Sequence, residues 1–175
     1  LKVLDVSSNN LLNLDLSQNV QLESLACQNN QLVSLNISSV TFDSLQAMNN
    51  QLTCIQIIPW LLWGDHNSIE SSIDEGVGFS VDCSVSEDDL TYVPDDGFEQ
   101  ALIDLGLDDV MDDYVKTISI IDVVELDLSG KSISDLTGME DLKGAKTIDV
   151  SNNNLSSLDI SDWYFFLNLD LRNNS

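Results

Sequence analysis

The chain has 175 residues, of which 43% are hydrophobic, so it can bury a sizeable core as one domain or two small ones. Thirty acidic against six basic residues give it a net charge of -24. A charge of this sign argues against nucleic acid and anionic membrane surfaces as partners, because both are polyanions. The chain has no run of about 18 apolar residues, so we expect no membrane insertion, and it shows no signal peptide.

Residues 1–58 repeat one apolar pattern. The pattern L-x-x-L-x-C-x-x-N-x-L, seen in LESLACQNNQL, starts at Leu1, Leu22 and Phe42, and these starts are 21 and 20 residues apart. Between the copies lie shorter units such as LLNLDLS, whose alternation of apolar and polar residues predicts a half-buried strand. We therefore predict coils with a strand on each face, whose inward Leu, Val and Ile side chains stack into a continuous core.

The repeat contains one asparagine at a constant position. We interpret this asparagine as structural, because it falls at the tight bend that leaves the strand, where its amide can bond the backbone of neighbouring coils and form a ladder. The predicted ladder consists of Asn9, Asn30, Asn50, Asn153 and Asn174.

Residues 59–85 interrupt the repeats and are predicted to cap the apolar end of the first array. The side chains expected to cover that end are Trp60, Leu61, Leu62 and Phe79. Cys54 and Cys83 flank this segment, and we prefer a disulfide between them, which would imply an oxidising, extracellular setting. Three cysteines constrain pairing weakly, so two unpaired thiols stay an alternative. Cys27 occupies a core column of the repeat and is predicted to be buried.

Residues 86–93 are polar and acidic without an apolar period, and we predict a linker there. Residues 94–122 begin with PDDGFEQALIDLG, which predicts a short amphipathic helix with Asp95 or Asp96 as N-cap and Gly106 as terminator. Because this helix precedes renewed repeats, we interpret the segment as the N-terminal cap of a second array.

The second array covers residues 123–175. The pattern returns at Val123, Ala145 and Phe166. The chain begins and ends inside a repeat, so we expect it to be a segment of a longer protein. The end of the chain followed by its beginning would read on as a repeat, which suggests a head-to-tail array within one chain or between copies.

These repeats resemble a known family. L-x-x-L-x-[LC]-x-x-N-x-L is the leucine-rich repeat signature, and LACQNNQL and LDVSNNNLSSLDIS look like the repeats of secreted and cell-surface proteins of flavobacteria and related Bacteroidetes. The resemblance covers residues 1–58 and 123–175. It implies a leucine-rich repeat solenoid in two array segments, separated by a cap and linker with one short α-helix.

The resemblance extends to the junction between the arrays. The CIQ...DC segment is similar to one that closes such arrays, which supports the Cys54–Cys83 disulfide, and VPDDGFEQALIDLGLDD resembles the start of one. The family mostly supplies adhesive or interaction surfaces on exported proteins, often exported by a type IX route.

A first candidate site is a column of acids. Asp127, Asp149 and Asp170 alternate with inward leucines and should face outward, about 5 Å apart on neighbouring strands. A cation such as calcium, or a basic partner, would relieve their repulsion. We favour the alternative that they are simply solvated, since a surface charge is screened and calcium needs about six oxygens.

A second candidate is the acidic loop after the cap helix. Calcium is a hypothesis for this loop, but its spacing does not match the EF-hand pattern, and a solvated loop is the favoured alternative. The candidate ligands are Asp108, Asp109, Asp112 and Asp113, with Asp104 nearby. No other cofactor is expected.

A third candidate is SDWYFF. Trp163 and Tyr164 fall in a corner of the repeat, where exposed aromatics would stack on a sugar or a protein, or else pack over the adjacent coil. For catalysis the inventory is poor, because His66 is the only histidine and no nucleophile, metal-ligand or phosphate-loop arrangement surrounds it. We therefore expect no enzyme.

The sequence thus predicts a non-catalytic structural or adhesive scaffold, part of a large exported protein on the bacterial cell surface. The alternative is a recognition module that binds a glycan or protein through its strand face and exposed aromatics. The expected partners are a protein, a glycan or copies of the chain itself.

Overall fold

The computed structural model describes residues 1–40, 43–62, 70–161, 163 and 168–175. In this part of the chain the protein is mostly sheet, with twelve short strands and three short α-helices. It divides into two compact units, Leu1–Cys83 and Ser84–Ser175. Among the described residues, no helix is long and apolar enough to span a bilayer.

Some predicted positions lie outside the described residues. They are the repeat starts Phe42 and Phe166, the histidine His66 and the aromatic Tyr164. The same holds for the side chains of Trp60 and Leu62. The predictions for these residues stay predictions.

The first unit is built from two parallel sheets. Its elements are β1 (Val3–Asp5), β2 (Ser24–Ala26), β3 (Leu35–Asn36), β4 (Ser44–Gln46), β5 (Cys54–Gln56), α1 (Pro59–Leu62), β6 (Glu70–Ser72) and β7 (Gly78–Ser80). One sheet has the order β1-β2-β4-β6 and the other β3-β5-β7. Leu4 pairs with Leu25, and Leu25 with Leu45, so residues one repeat apart lie side by side.

The central residue of these short strands is buried. Leu25, Leu45 and Ile55 expose 1% or less of their surface, whereas their strand neighbours are exposed or half-buried. Burying one such side chain contributes about 1.5–3 kcal/mol. A slip of one residue would turn the whole column outward, so the apolar column holds the register of the sheet.

Cys27 lies in the same core, directly after β2. It is fully buried and forms no disulfide, and burial raises the pKa of its thiol to about 11. The thiol is therefore protonated at neutral pH and packs as a small apolar side chain.

Residues 70–80 extend both sheets of the first unit, although their sequence carries no leucine ladder. β6 pairs with β4 and sets Ser71 beside Leu45, while β7 pairs with β5 and sets Phe79 beside Ile55. Ser71 is exposed, and Phe79 is half-buried against the core. A serine in the leucine column explains why the sequence pattern shows no strand here.

The disulfide predicted between Cys54 and Cys83 is present. Cys54 begins β5, and Cys83 lies three residues after β7, the strand that pairs with β5. The Cα atoms are 5.8 Å apart, within the usual range for a disulfide. The bond therefore ties the end of the first unit to its own sheet, and such bonds persist in oxidising compartments.

The second unit combines a parallel sheet with a two-stranded antiparallel sheet. Its elements are β8 (Leu90–Tyr92), α2 (Asp96–Asp104), β9 (Tyr114–Lys116), α3 (Thr117–Ile120), β10 (Glu125–Asp127), a 3-10 helix (Met139–Asp141), β11 (Thr147–Asp149) and β12 (Asn168–Asp170). Strands β10, β11 and β12 are parallel and align Leu126, Ile148 and Leu169. Strands β8 and β9 are antiparallel.

Helix α2 occupies the segment where the sequence predicted an amphipathic helix. Asp95 caps it, because Oδ1 accepts the backbone N–H groups of Gly97 and Phe98, both at 3.0 Å. The second oxygen of Asp95 accepts the N–H of Ser134 at 2.8 Å. One carboxylate thus binds both the start of the helix and the segment that follows β10. Within the helix, Phe98 and Leu102 are fully buried.

Residues 86–93 differ from the predicted linker. Within them Leu90–Tyr92 form β8, and Thr91 and Val93 are buried. The hydroxyls of Thr91 and Thr117 share a hydrogen bond of 2.9 Å. The buried positions that alternate here are Thr91 and Val93, and threonine is polar. So short an alternation does not predict a strand from the sequence.

Replacing both Cys54 and Cys83 by Ser should lower the free energy of unfolding by about 3 kcal/mol, because the bond spans 29 residues and restricts the unfolded chain. Urea unfolding followed by far-UV circular dichroism measures the loss. Dithiothreitol should lower the midpoint of the native chain and leave that of the double variant unchanged. A native midpoint that is insensitive to the reductant would contradict the prediction.

Candidate functional site

The predicted acidic column is present as a geometric row. Asp127, Asp149 and Asp170 end the three parallel strands of the second unit and are paired in register. Each carboxylate bonds its own chain, since Oδ1 accepts the backbone N–H two residues later, at 3.0, 2.8 and 3.0 Å respectively. This arrangement is an Asx turn, which bends the chain away from the strand. The three aspartates therefore have a local structural role.

The same turn recurs in both units. Further pairs are Asp5–Ser7, Asp15–Ser17, Asn36–Ser38, Asp135–Thr137 and Asp159–Ser161. Hydrogen bonds to an ionised carboxylate stabilise it, so the pKa values of Asp5, Asp15, Asp127 and Asp159 lie below the ordinary aspartate value. The signal in the sequence is [DN]-x-[STR], as in DVS, DLS, NIS and DLR, and the sequence analysis missed it.

Asp170 has a cationic partner in addition. The Arg172 guanidinium Nε donates to both carboxylate oxygens, at 2.9 and 3.0 Å, and together with the turn it lowers the pKa of Asp170 to about 2. The last member of the acidic column is thereby neutralised within the chain. Both side chains are solvent-accessible, so we expect the pair to contribute little to stability.

The asparagines predicted as a ladder satisfy buried backbone groups. Asn153, which is 6% exposed, donates from Nδ2 to the Leu128 carbonyl one repeat earlier at 2.8 Å and to the Val150 carbonyl at 2.9 Å. Its Oδ1 accepts the N–H groups of Lys131 and Ile133 at 2.9 and 3.0 Å. One side chain thus pairs with polar groups that two successive repeats turn inward.

The other ladder members bond in a similar way. Asn30, Asn50 and Asn174 each donate to a carbonyl one repeat earlier, at 2.9, 3.1 and 3.0 Å, and each accepts one backbone N–H. Asn9, in the first repeat, donates to the Val6 carbonyl at 3.0 Å.

A second row of asparagines lies outside the ladder and was not anticipated. The residues are Asn29, Asn49, Asn152 and Asn173, which precede ladder members and adopt left-handed φ values of 57° to 58°. Asparagine tolerates this conformation better than most residues. Their side chains also bond one another, from Asn49 to Asn29 at 2.8 Å and from Asn173 to Asn152 at 2.9 Å. The pair Asn-Asn in the sequence therefore encodes the turn.

The structure does not gather the predicted calcium ligands into a metal site. In the described parts of the chain, no group of three or more His, Cys, Asp or Glu could hold a metal ion, and this includes the loop with Asp108, Asp109, Asp112 and Asp113. The loop is instead held by Glu99, which is 1% exposed and whose Oε1 accepts the N–H of Asp112 at 2.7 Å. Asp104 pairs with Lys131 at 2.8 Å.

Trp163 lines a groove in the second unit. The groove has a volume of about 360 Å³, and its described lining is Asp135, Leu136, Thr137, Glu140, Ser157, Leu158, Asp159, Ser161 and Trp163. The indole is half-buried and packs against the core of the unit. Trp163 therefore packs on the core and lines the groove, and its stacking on a sugar or a protein stays a prediction.

Two exposed tyrosines form a further aromatic surface. Tyr92 and Tyr114 face each other across β8 and β9, with ring centroids 5.3 Å apart and planes at 47°. They are 48% and 44% exposed, and Leu90 beside them is 58% exposed. The sequence does not indicate this pair, because residues 86–93 are polar and acidic and the alternation L-x-Y is too short to predict a strand.

The described residues thus offer carboxylates held in turns, a groove with an aromatic wall and an exposed tyrosine pair. Comparison with known proteins adds no family, since neither a protein-family model nor a curated protein matches the chain.

Changing Asn153 to Ala should lower the free energy of unfolding by about 3 kcal/mol, because it leaves buried backbone donors and acceptors without partners. Changing the exposed neighbour Asn154 to Ala is the matched control and should cost less than about 1 kcal/mol, since Asn154 makes one exposed bond to the Ser132 carbonyl. Urea unfolding measures both. Equal losses for the two variants would show that the ladder bond is not the cause.

Proposed function

We propose that the chain is a leucine-rich repeat solenoid segment and acts as a non-catalytic structural or adhesive scaffold in a large exported bacterial surface protein. The observation that carries this proposal is the parallel pairing of strands one repeat apart, as in Leu4, Leu25 and Leu45. Each repeat packs on the next through the same core column and the same asparagine bridge. Stacks of this kind present an extended surface of outward side chains.

The structural roles of the repeated leucines, asparagines and aspartates support a scaffold function. Leucines fill the core, ladder asparagines bond the backbone, and aspartates such as Asp127 and Asp149 bond their own turns. These residues are therefore occupied in building the repeat. The variable positions of the strand face, such as Ser24 and Ser44 or Ala26 and Gln46, are left for contact with a partner.

One property supports export to an oxidising environment, and a second restricts the partners. The Cys54–Cys83 disulfide is of a type that persists outside the reducing cytosol. The net charge of -24 repels anionic lipids and nucleic acids, the main polyanions of a cell. Together they fit a protein that works at the outer surface of a bacterium.

A recognition module is the second candidate function. It is favoured by the exposed Tyr92–Tyr114 pair and by the groove at Trp163, because aromatic side chains with polar surroundings are typical of binding surfaces. Such a module would bind a glycan or a protein partner.

Duplication of one repeat tests the solenoid. A second copy of residues 1–21, inserted between Gln21 and Leu22, should give a folded chain whose urea midpoint equals or exceeds that of the native chain, because each repeat contacts only its neighbours. The same 21 residues in scrambled order, which keep composition and length, should lower the midpoint. Loss of cooperative unfolding in the duplicated chain would rule the solenoid out.

Labelling of intact cells tests the scaffold function. Antibodies against this chain should bind unpermeabilised cells that produce the full-length protein, whereas antibodies against a cytosolic protein should not. Deletion of this segment from the full-length protein should reduce either attachment of the cells to surfaces or display of the remaining protein. Labelling that requires permeabilisation, or a deletion that changes neither property, would refute the proposal.

A further inference from the structure

The groove at Trp163 has the composition of a small-molecule site. Its volume of about 360 Å³ lies within the range of about 300–1,000 Å³ for ligand pockets, and it has room for a mono- or disaccharide. The apolar part of the lining consists of Leu136, Leu158 and Trp163, and the rest is hydroxyl or carboxylate. A mixed lining of this kind suits a ligand with both apolar faces and hydroxyl groups.

Trp163 supplies a fixed aromatic wall. Its backbone N–H donates to the Ile160 carbonyl at 3.1 Å, which closes the turn that carries the side chain. The indole packs against the core on one part of its surface and lines the groove with another. Because the ring is held by packing, a ligand stacking on it need not order it first.

The carboxylates of the groove are oriented by their own turns. Asp135 Oδ1 accepts the N–H and the hydroxyl of Thr137 at 2.9 and 2.8 Å. Asp159 Oδ1 accepts the N–H of Ser161 at 2.9 Å, and Glu140 Oε2 accepts the N–H of Gly138 at 2.9 Å. These bonds engage one oxygen of each group, and a carboxylate has about four acceptor sites, so each retains capacity for a ligand.

The charge of the groove restricts the ligand. Its described lining holds three carboxylates, Asp135, Glu140 and Asp159, and no Lys, Arg or His. An acidic sugar would be repelled, whereas a neutral or amino-substituted sugar would find acceptors for its hydroxyl or ammonium hydrogens.

The hydroxyls favour a saccharide over a basic peptide. Thr137, Ser157 and Ser161 line the groove beside the carboxylates, and a hydroxyl both donates and accepts. The Thr137 hydroxyl already donates to Asp135, and the Ser161 hydroxyl bonds Asp159, so Ser157 is the hydroxyl donor that a lysine or arginine side chain, which only donates, would leave unused. A sugar hydroxyl can donate to the carboxylates and accept from Ser157.

We propose that this groove binds a neutral or amino-substituted saccharide, with Trp163 stacking on a sugar ring and Asp135, Glu140 and Asp159 accepting its polar hydrogens. The inference rests on the recognition function and names its site and ligand class. The scaffold function does not depend on it.

Isothermal titration of the whole chain tests the site. The probes are cellobiose, mannobiose and chitobiose as neutral sugars, the glucosamine dimer as an amino sugar, the galacturonate dimer as an acidic sugar, and a hexalysine peptide. At least one neutral or amino sugar should bind saturably below about 10 mM, and the acidic dimer at least about 10-fold more weakly. Binding by the hexalysine peptide alone, binding of the acidic dimer at equal strength, or no saccharide binding would overturn the proposal.

Variants locate the binding. Trp163→Ala should weaken it at least about 10-fold. Because Trp163 also packs on the core, Ser157→Arg serves as a second variant: Ser157 is exposed, so arginine there fills the groove without changing the core. Both variants should keep the native circular dichroism spectrum.

Ser34→Arg is the matched control, because Ser34 is an exposed serine of the first unit that does not line the groove, and this variant should bind as the native chain does. The double variant Tyr92→Ala/Tyr114→Ala tests the competing aromatic surface. Sugar binding that survives Ser157→Arg but is lost in the tyrosine double variant would overturn the groove as the site. The recognition function would then stand, with the tyrosine pair as its surface.

Discussion

The repeated asparagine amide is the interaction on which the stacking of repeats depends. Where the chain leaves the strand, the Leu128 and Val150 carbonyls accept buried hydrogen bonds from the side chain of Asn153. A buried polar group without a partner costs about 1–3 kcal/mol, and this cost would recur in every repeat. The amide of Asn153 donates to both carbonyls and accepts two N–H groups in return. The asparagine therefore lets neighbouring repeats bury their leucines without leaving these backbone groups unpaired.

Some of the acidic residues of the chain are a consequence of its turns. Aspartates such as Asp5, Asp127 and Asp159 hold the bends by accepting a backbone N–H two residues later, and their lowered pKa values keep them ionised. Two of the acids that line the groove at Trp163, Asp135 and Asp159, accept a backbone N–H in the same kind of turn. These turns place carboxylates on the surface at the ends of successive strands, and beside Trp163 two of them line the groove.

The strands could be predicted where the inward residue is apolar. Leu25, Leu45 and Ile148 lie at central positions of parallel strands, as the repeat pattern predicted, because apolar burial follows the side-chain period of a strand. The pattern failed at Ser71 and Thr91, where a polar residue occupies the inward or paired position of a three-residue strand. Pairing with a neighbouring strand stabilises these two strands, which their local sequence does not predict.

The sequence by itself determined the leucine columns and the ladder asparagines and favoured the pairing of Cys54 with Cys83, which the structure then showed. Only the tertiary structure decided what the polar side chains bond to. It joined Tyr92 to Tyr114 across two strands, placed Trp163 beside carboxylates from an earlier repeat, and turned the aspartates toward their own backbone. The physical reason is that hydrogen-bond partners and groove walls come from residues brought together by stacking, and the identity of one residue does not specify its neighbours in the next repeat.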